Sequence, residues 1–452
     1  MALLIGVIAI LAIGGQPDPS ASGQMLDGPW RFHAGDDPRW AAPGTDDREW
    51  DRIRLVSRPD SRDGDVGFPG YFDGWRAHGH PGLAGYGWYR RTVVLPGGSG
   101  LVLVAPPVVD DGYELFWDGR RMGGVGKLSG TPSVNATRPL MIELPPSNEG
   151  RVAVLAIRAF MQPGADRDAQ SGGLRTAPVL ASRADGTALY RAQWHRTIAG
   201  YVVDAVEPAA MFVLAAIALL AAPALARPGF ARWIALALVA SALLRLGNAI
   251  GAWTDLISAP ALAFVRGVIV GPLAKLCWVI GWNLWTDGKG RRLVAFAAVA
   301  AWPILTIGAL VPNAILAGTG RAIVALCLLT TAVRIAIHGE QRLLALTALL
   351  LTATGQFAAD LSALGVPGIW FPFDIGVSRS QYAYAFALPL LALAILVPRG
   401  PRGRSAPPNG PGGSLNPGPS KRLVDQPGAC GRQKLTVRTS NEREGSDVDR
   451  TA

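Results

Sequence analysis

From Glu207 onward the sequence repeats one pattern: apolar segments of about 18 to 24 residues, each long enough to cross the ~30 Å hydrocarbon core of a bilayer as a helix. They run over 206–226, 233–253, 263–285, 293–312, 314–337, 343–364 and 381–398. Backbone amides inside hydrocarbon find no water, so each segment must satisfy its own hydrogen bonds by forming a helix. Seven transmembrane helices are expected, which puts the two chain ends on opposite sides. Lys and Arg are retained in the cytoplasm during insertion. Arg227 and Arg232, then Lys289, Arg291 and Arg292, then Arg334 and Arg342, then Arg399, Arg402 and Arg404 mark alternate connections. The 254–262 and 313–320 loops carry no basic residue and the 365–380 loop has only Arg379. The expected topology is N-terminus out and C-terminus cytoplasmic, in a bacterial inner membrane with the N-terminal domain periplasmic or extracellular.

Composition separates the rest. Of 452 residues, 50% are apolar and 17% charged, but residues 24–200 hold about 21 basic against about 20 acidic side chains. The net charge of +10 therefore arises in the membrane loops and the tail. A nucleic-acid surface would gather its basic residues on one folded face, so nucleic acid is not an expected partner, whereas membrane lipid is. Cys277, Cys327 and Cys430 lie outside the N-terminal domain, whose stability must come from its core and not from disulfides.

Ala2 to Gly15 is an apolar run too short to span comfortably, followed by Gln16-Pro17-Asp18-Pro19 and small residues around Ala21-Ser22-Gly23. Residues 1–23 are expected to be a signal peptide, with an uncleaved anchor as the alternative because no basic residue precedes the run. Residues 24–186 alternate short β-like runs with Gly/Pro/Asp turns: Trp30 to His33, Trp50 to Val56, Gly87 to Leu95, Leu101 to Ala105, Tyr113 to Trp117, Leu140 to Leu144, Val152 to Phe160 and Ala177 to Ala181. This spacing predicts an all-β sandwich. The nearly unbroken apolar run Val152 to Ile157 predicts a central strand covered on both faces. Thr187 to Val203, with Tyr190, Trp194 and Tyr201, reads as a connector helix over 187–205, either stiff or lying at the interface.

Several ordered blocks carry a resemblance: Gly28-Pro29-Trp30-Arg31-Phe32, Asp46-Asp47-Arg48-Glu49-Trp50, Gly87-Trp88-Tyr89-Arg90-Arg91 and Asp111-Gly112-Tyr113-Glu114-Leu115-Phe116-Trp117-Asp118-Gly119. Together they resemble the sugar-binding, galactose-binding-like jelly-roll domain of β-galactosidase-type glycoside hydrolases, where such residues build the sandwich. The same domain joined to seven spans resembles the bacterial 7TMR-DISM receptors. The resemblance implies a module that senses an exported solute, a carbohydrate in the first instance, coupled to a membrane bundle.

Candidate chemistry is sparse. A glycosidase needs two carboxylates facing each other across a cleft. The doublets Asp36-Asp37, Asp46-Asp47 and Asp110-Asp111 stand in turn contexts, where Asp bonds nearby backbone amides. The resembled enzymes hold their catalytic groups on a separate barrel, so the sequence points away from an enzyme and implies no catalytic residue, cofactor or metal. The Gly-rich segment 60–86 is the ligand-loop candidate through Phe72, Trp75, His78, His80 and Tyr86, with a covering loop as its plainer alternative. His78 and His80 lack a third metal ligand. Within the spans, Arg245, Asn248, Lys275, Asn283, Gln356 and Asp360 would be penalised by lipid and should face protein or water. Arg245 and Asp360 both fall in the expected outer half, which suggests a charge pair or polar network there. Trp278, Trp282 and Trp285 share a helical face, read as packing or lipid contact.

Residues 399–452 are Pro/Gly-rich without apolar periodicity and are expected to be a disordered cytoplasmic tail. They contain no phosphate loop, kinase-like His box or metal-binding carboxylate set, although the resembled receptors continue into such modules. A separate cytoplasmic effector is therefore the implied partner, unless this frame has lost its own. The function expected is a receptor that relays an outside solute through seven helices. A transporter or membrane-embedded enzyme using the polar groups of the bundle is the second possibility, and a hydrolase-related protein the third.

Overall fold

The computed structural model describes residues 22–63, 66–97, 100–136, 138–163, 170–288, 290–311, 313–372 and 376–397. Most of the expected signal segment and all of the expected tail lie outside the described residues.

The N-terminal part folds as strands β1 (Gln24–Met25), β2 (Trp30–Ala34), β3 (Asp51–Ile53), β4 (Gly85–Val94), β5 (Leu101–Val104), β6 (Val109–Asp110), β7 (Gly112–Trp117), β8 (Arg120–Val125), β9 (Met141–Glu143), β10 (Val152–Met161), β11 (Gly173–Leu174) and β12 (Val179–Ser182). They form a sheet in the order β3-β2-β4-β10-β7-β8 and another in the order β1-β12-β5-β9, with every pairing between them antiparallel. Each strand run read from the sequence is present. The strands that were missed are β1, β6 and β11, too short to show a period, and β8, whose Arg120-Arg121 and Gly123-Gly124 hide any alternation.

The register explains the core. Ile157 of β10 stands opposite Tyr89 of β4 on one side and Leu115 of β7 on the other. Because side chains alternate along a strand, Leu155, Ile157, Ala159 and Met161 enter one core with Trp30, Phe32, Leu103, Ile142 and Leu180, drawn from both sheets. Fully burying one such aliphatic side chain contributes about 1.5–3 kcal/mol. The opposite face of β10 carries Ala156, Arg158 and Phe160 and is also covered, as the sequence predicts. Ala156 packs with Trp88, Trp50 and Ala41, the last from the turn Pro38–Ala41.

This outer cover is electrostatic as well as apolar. Arg158 donates to Asp36 at 2.5 and 2.7 Å and to Glu114 at 3.0 Å, and its guanidinium lies 4.6 Å from the Tyr86 ring. Burial works against the charge, but the bonds to Asp36 and Glu114 hold the guanidinium pKa above its ordinary value. Arg90, 1% exposed, donates to Asp47 at 3.0 Å and to the Trp40 carbonyl.

Ser182 ends β12 and caps the next helix, its hydroxyl accepting from the Asp185 N–H at 3.2 Å. That helix, α1 (Arg183–Ala221), runs for 39 residues without interruption, about 58 Å at 1.5 Å per residue. The expected connector and the first span are thus one helix. It is followed by α2 (Pro228–Trp253), α3 (Ala259–Asn283), α4 (Arg291–Leu310), α5 (Ala314–His338), α6 (Arg342–Gln356), α7 (Ala358–Ala363), the short strands β13 (Ile369–Trp370) and β14 (Val377–Ser378), and α8 (Arg379–Leu396).

Among the described residues, α1 to α5 and α8 make 6 helices long and apolar enough to cross a membrane. The remaining expected span, 343–364, is not one helix. It consists of α6, 15 residues long and so about 22 Å, and the short α7, with Phe357 between them outside helical geometry at φ −105°, ψ 25°. Gly355 brings this end of α6 so close to α8 that a Cβ would lie 2.6 Å from the Tyr384 ring. Arg379, 5% exposed, then donates to the carbonyls of Ala358 and Pro367, both at 3.0 Å, and of Val366. The broken segment is stapled by a side chain where a straight helix would have bonded its own backbone. Trp278, Trp282 and Trp285 are packing residues: all are buried, and their indoles donate to Ser241, Thr352 and the Glu340 carbonyl at 3.1–3.2 Å.

The sandwich rests on the bundle through specific bonds. Asp255, in the turn between α2 and α3, accepts from Asn135 at 2.8 Å and from Arg138. The Ala259 N–H donates to the Val134 carbonyl at 2.9 Å, and Arg196 of α1 donates to the Gly67 carbonyl at 2.8 Å.

Two outcomes follow. Arg158→Ala removes the bonds to Asp36 and to the buried Glu114, which keeps Arg121 at 2.9 Å, and should lower sandwich stability by about 1.5–3 kcal/mol, whereas Arg39→Ala, which breaks the exposed pair with Asp37, should leave the denaturation midpoint where it is; equal effects would refute the buried clamp. The hydrogen bond from Arg138, ahead of desolvation and the bond from Asn135, holds the Asp255 carboxyl below its ordinary 3.8. A depressed folded pKa means a contribution present above 3.8 and lost as pH falls through the folded value. Asp255→Asn should therefore destabilise docking at pH 7 and become indistinguishable from wild type once the pH has fallen below the folded value of this carboxyl, read by protease access at Val134–Ala136.

Candidate functional site

The most polar interior of the molecule lies where α1, α2, α3 and α8 meet beneath the sandwich. Helix α1 supplies Tyr201, Asp204 and Glu207 at helical spacing, so the two carboxylates share the face turned to α2. Arg245 of α2 answers both: its Nη1 is 3.1 Å from Asp204 Oδ1 and its Nε 2.8 Å from Glu207 Oε2. Its guanidinium also lies 5.3 Å from the Tyr384 ring of α8. Gln381 completes the clamp. Its Oε1 accepts from the Ser378 N–H at 2.6 Å as part of the capping box of α8, and its Nε2 donates to Asp204 Oδ2 at 3.0 Å. Asp204, Glu207, Arg245 and Gln381 are all at most 7% exposed, so separating them would leave charges in a medium that solvates them poorly. Pro208 follows directly and has no N–H to give to the Asp204 carbonyl, a local weakness in α1 beside the clamp.

Helix α3 contributes through an irregularity. Val265–Val270 is a π-helical turn, in which the Gly271 N–H bonds the Arg266 carbonyl. A Cβ at Gly271 would sit 2.3 Å from that oxygen, so the turn requires glycine. Pro272 cannot donate to the Val268 carbonyl, and Thr306 of α4 does so at 3.3 Å. The widened turn presents Arg266, which donates to Asn248 Oδ1.

Three cavities adjoin along this seam. One of about 320 Å³ is lined by Asp204, Arg245, Asn248, Arg266, Ser378 and Gln381 among others. One of about 340 Å³ lies deeper and shares Arg245, Asn248, Arg266 and Ser380 with the first, adding Lys275, Gln356 and Tyr384. The last, about 200 Å³, lies under the sandwich beside Asp63, Asp110 and Asp111 and shares Ala136, Tyr201 and Ala259 with the first. Polar cavities therefore adjoin one another from beneath the sandwich loops into the bundle.

The expected intramembrane network divides. Arg245 and Asn248 belong to the clamp and its cavity, and Gln356 lines the deeper cavity, donating to the Thr352 carbonyl at 3.4 Å. Asp360 is not the partner of Arg245; it pairs with Arg321 of α5 at 3.1 Å. Asn283 holds the turn at the other end of α3, where it accepts from Arg334 at 2.7 Å. Asp204 and Glu207 were missed because they flank the start of the first apolar run. The signal that could have found them is their shared spacing with respect to Arg245, a cation that needs an acid.

The ligand-loop candidates are placed differently from expectation. Phe72 and Trp75 are core residues, 3% and 0% exposed, with Trp75 packed on Phe32 and Tyr89; neither ring offers a face to a solute. His80 lies 3.2 Å from Asp51 and against the Phe32 ring, and Tyr86 donates to the Leu128 carbonyl at 2.8 Å. His78 is exposed, its Nε2 3.1 Å from the Asp73 carbonyl. The segment closes the sandwich core because its aromatic content is worth more buried than wet. The Asp doublets split by role. Asp37 and Asp46 accept from the backbone N–H two residues on, the turn role expected, while Asp36, Asp47 and Asp110 pair with buried strand or loop arginines Arg158, Arg90 and Arg175.

Double-mutant cycles separate these pairings. Arg245→Gln and Asp204→Asn should couple by about 1 kcal/mol or more in thermal unfolding of the full chain, whereas Arg245→Gln and Asp360→Asn should add within about 0.5 kcal/mol. Coupling of the second pair alone would overturn the arrangement.

No family model matches the sequence, and no curated protein matches it. Among solved structures, a β-glucuronidase from Bacteroides uniformis is 16% identical over 35% of this chain and 17% of its own, with a TM-score of 0.26. A glycosyl hydrolase family 2 member from Bacteroides cellulosilyticus is 17% identical over 35% of this chain and 20% of its own, TM-score 0.24. A β-glucuronidase from Ruminococcus gnavus is 15% identical over 36% and 29%, TM-score 0.24. The chain thus spans less than a third of each of these proteins, and the sandwich is defined by its own strand pairing.

Proposed function

We propose that the chain is a membrane receptor: an exported jelly-roll sandwich meets a solute, α1 carries the resulting change into the bundle, and an effector on a separate protein reads it in the cytoplasm. The observation that supports this most is the continuity of α1. It is capped on the last strand of the sandwich and, about six turns later, holds the Asp204–Glu207 side of the Arg245 clamp. A displacement at Ser182 reaches the clamp through hydrogen-bonded backbone, with Pro208 as the point of least resistance. Orientation with the sandwich outside rests on the alternation of basic loops, and α6 with α7 would make the seventh crossing. The solute class is taken from the sequence blocks, which resemble sugar-binding jelly rolls; with Phe72 and Trp75 in the core, the cavities under the sandwich are the better candidates for its site.

A transporter is the second reading, favoured by the adjoining cavities and by the π turn, since irregular backbone at membrane depth is tolerated where it lines a polar cavity.

The test uses the full chain in nanodiscs, screened against mono- and oligosaccharides by thermal shift and then followed by hydrogen exchange. A binding sugar should slow exchange in the sandwich and also in α1 from Gly200 to Met211; protection that stops at Ser182 would remove the relay. Flux of the same sugar into proteoliposomes would instead establish transport. A fluorescent protein fused after Ala452 should fluoresce in the cytoplasm, and a dark, exported fusion would reverse the topology.

A further inference from the structure

The deeper cavity has an unbalanced charge. Its lining contains Arg245, Arg266 and Lys275 together with the neutral groups Ser241, Asn248, Gln356, Ser380 and Tyr384, and no carboxylate. Asp204 and Glu207 lie outside this lining, both against Arg245. Arg266 has a neutral partner, Asn248. Lys275 makes no hydrogen bond or ion pair with any described residue, and the neighbouring Asp360 is already paired with Arg321. With that pair counted, the four cations Arg245, Arg266, Lys275 and Arg321 stand against the three carboxylates Asp204, Glu207 and Asp360, which leaves one positive charge uncompensated at membrane depth, where an unpaired ion is costly. The cavity, at about 340 Å³, falls in the size range of small-ligand sites.

We propose that this cavity binds a phosphate group, held by Lys275 as a point charge and by the guanidinium of Arg266, with Asn248, Ser380 and Tyr384 as hydrogen-bonding neighbours. Arginine offers planar paired donors and lysine a compact ammonium, the two ways proteins commonly hold phosphate. Arg266 is exposed on α3, so the phosphate reaches the cavity either as a soluble phosphate or as the headgroup of a lipid lying against that helix. The site stands apart from the relay reading: a receptor that binds no phosphate and a phosphate site in a protein that relays nothing are both possible outcomes.

The experiment uses the full chain, delipidated in dodecyl maltoside and free of phosphate. One arm adds inorganic phosphate, with chloride at equal ionic strength as control; the other dopes the micelles with phosphatidylglycerol. A soluble source predicts a saturable rise in Tm with phosphate, and a lipid source a rise with phosphatidylglycerol alone. In either case Lys275→Gln should weaken the apparent affinity at least tenfold and Lys275→Arg should keep it. Arg266→Gln, at an exposed position, provides the same reading if Lys275→Gln does not fold. No rise in either arm, a rise matched by chloride, or equal shifts in the wild type and both Gln variants would overturn the site.

Discussion

Arg245 sits between two acids of α1 and beneath an aromatic ring and a glutamine of α8, and the arrangement of the sandwich-facing half of the bundle depends on it. A guanidinium at this depth is tolerable only if its charge is met at close range, and Asp204 and Glu207 meet it at 3.1 and 2.8 Å. That requirement brings α1, α2 and α8 to one point. Because Gln381 spends one end of its amide on the α8 cap and the other on Asp204, the start of α8 is registered against α1 as well. The polar cavities beneath the sandwich lie where these helices meet through long polar side chains, which hold the backbones apart where small apolar residues would have let them close.

The same logic governs the sandwich at lower cost. Its six-stranded sheet buries arginines on the face away from the core, and each is met by an aspartate from a turn that the chain folds back over the sheet. The turn sequences are therefore not free connections. Asp36 and Asp47 hold the cover down while their neighbours Asp37 and Asp46 shape the turns themselves. The outer layer is secured by charge in a domain that has no disulfide to secure it.

Two irregular helices mark where the bundle departs from simple spans. In α3 a π turn is written into Gly271 and Pro272 and completed by a hydroxyl from α4. In the 342–363 segment, α6 and α7 are separated at Phe357, and Arg379 takes up the carbonyls beyond the break. In both cases a side chain from another helix replaces a missing backbone partner, which keeps a nonhelical turn affordable in a dry environment. Both irregularities border the deeper cavity, through Gly271 and Lys275 on one side and Gly355 and Gln356 on the other.

Much of this was legible in the residues. Apolar length located the helices and period-two alternation located the long strands, because both signals depend only on neighbours in sequence and on the solvent each segment must meet. Sequence also flagged Arg245, Asn248, Gln356 and Asp360 as groups that needed partners. What it could not assign was the partner. Arg245 and Asp360 were the obvious opposite charges, yet the packing of α1 against α2 and the reach of Arg321 from α5 to α7 gave each a different mate, since pairing depends on which helices are neighbours. The aromatic loop was misread for the same reason: an aromatic cluster serves equally as a ligand platform or as core, and only the closure of the two sheets over Trp75 decided between them. By itself the sequence determined which of the described segments are long strands and which are long apolar helices, and the charges that had to be neutralised; the tertiary structure decided who neutralises whom, because that is set by distances of a few ångströms between residues far apart in the chain.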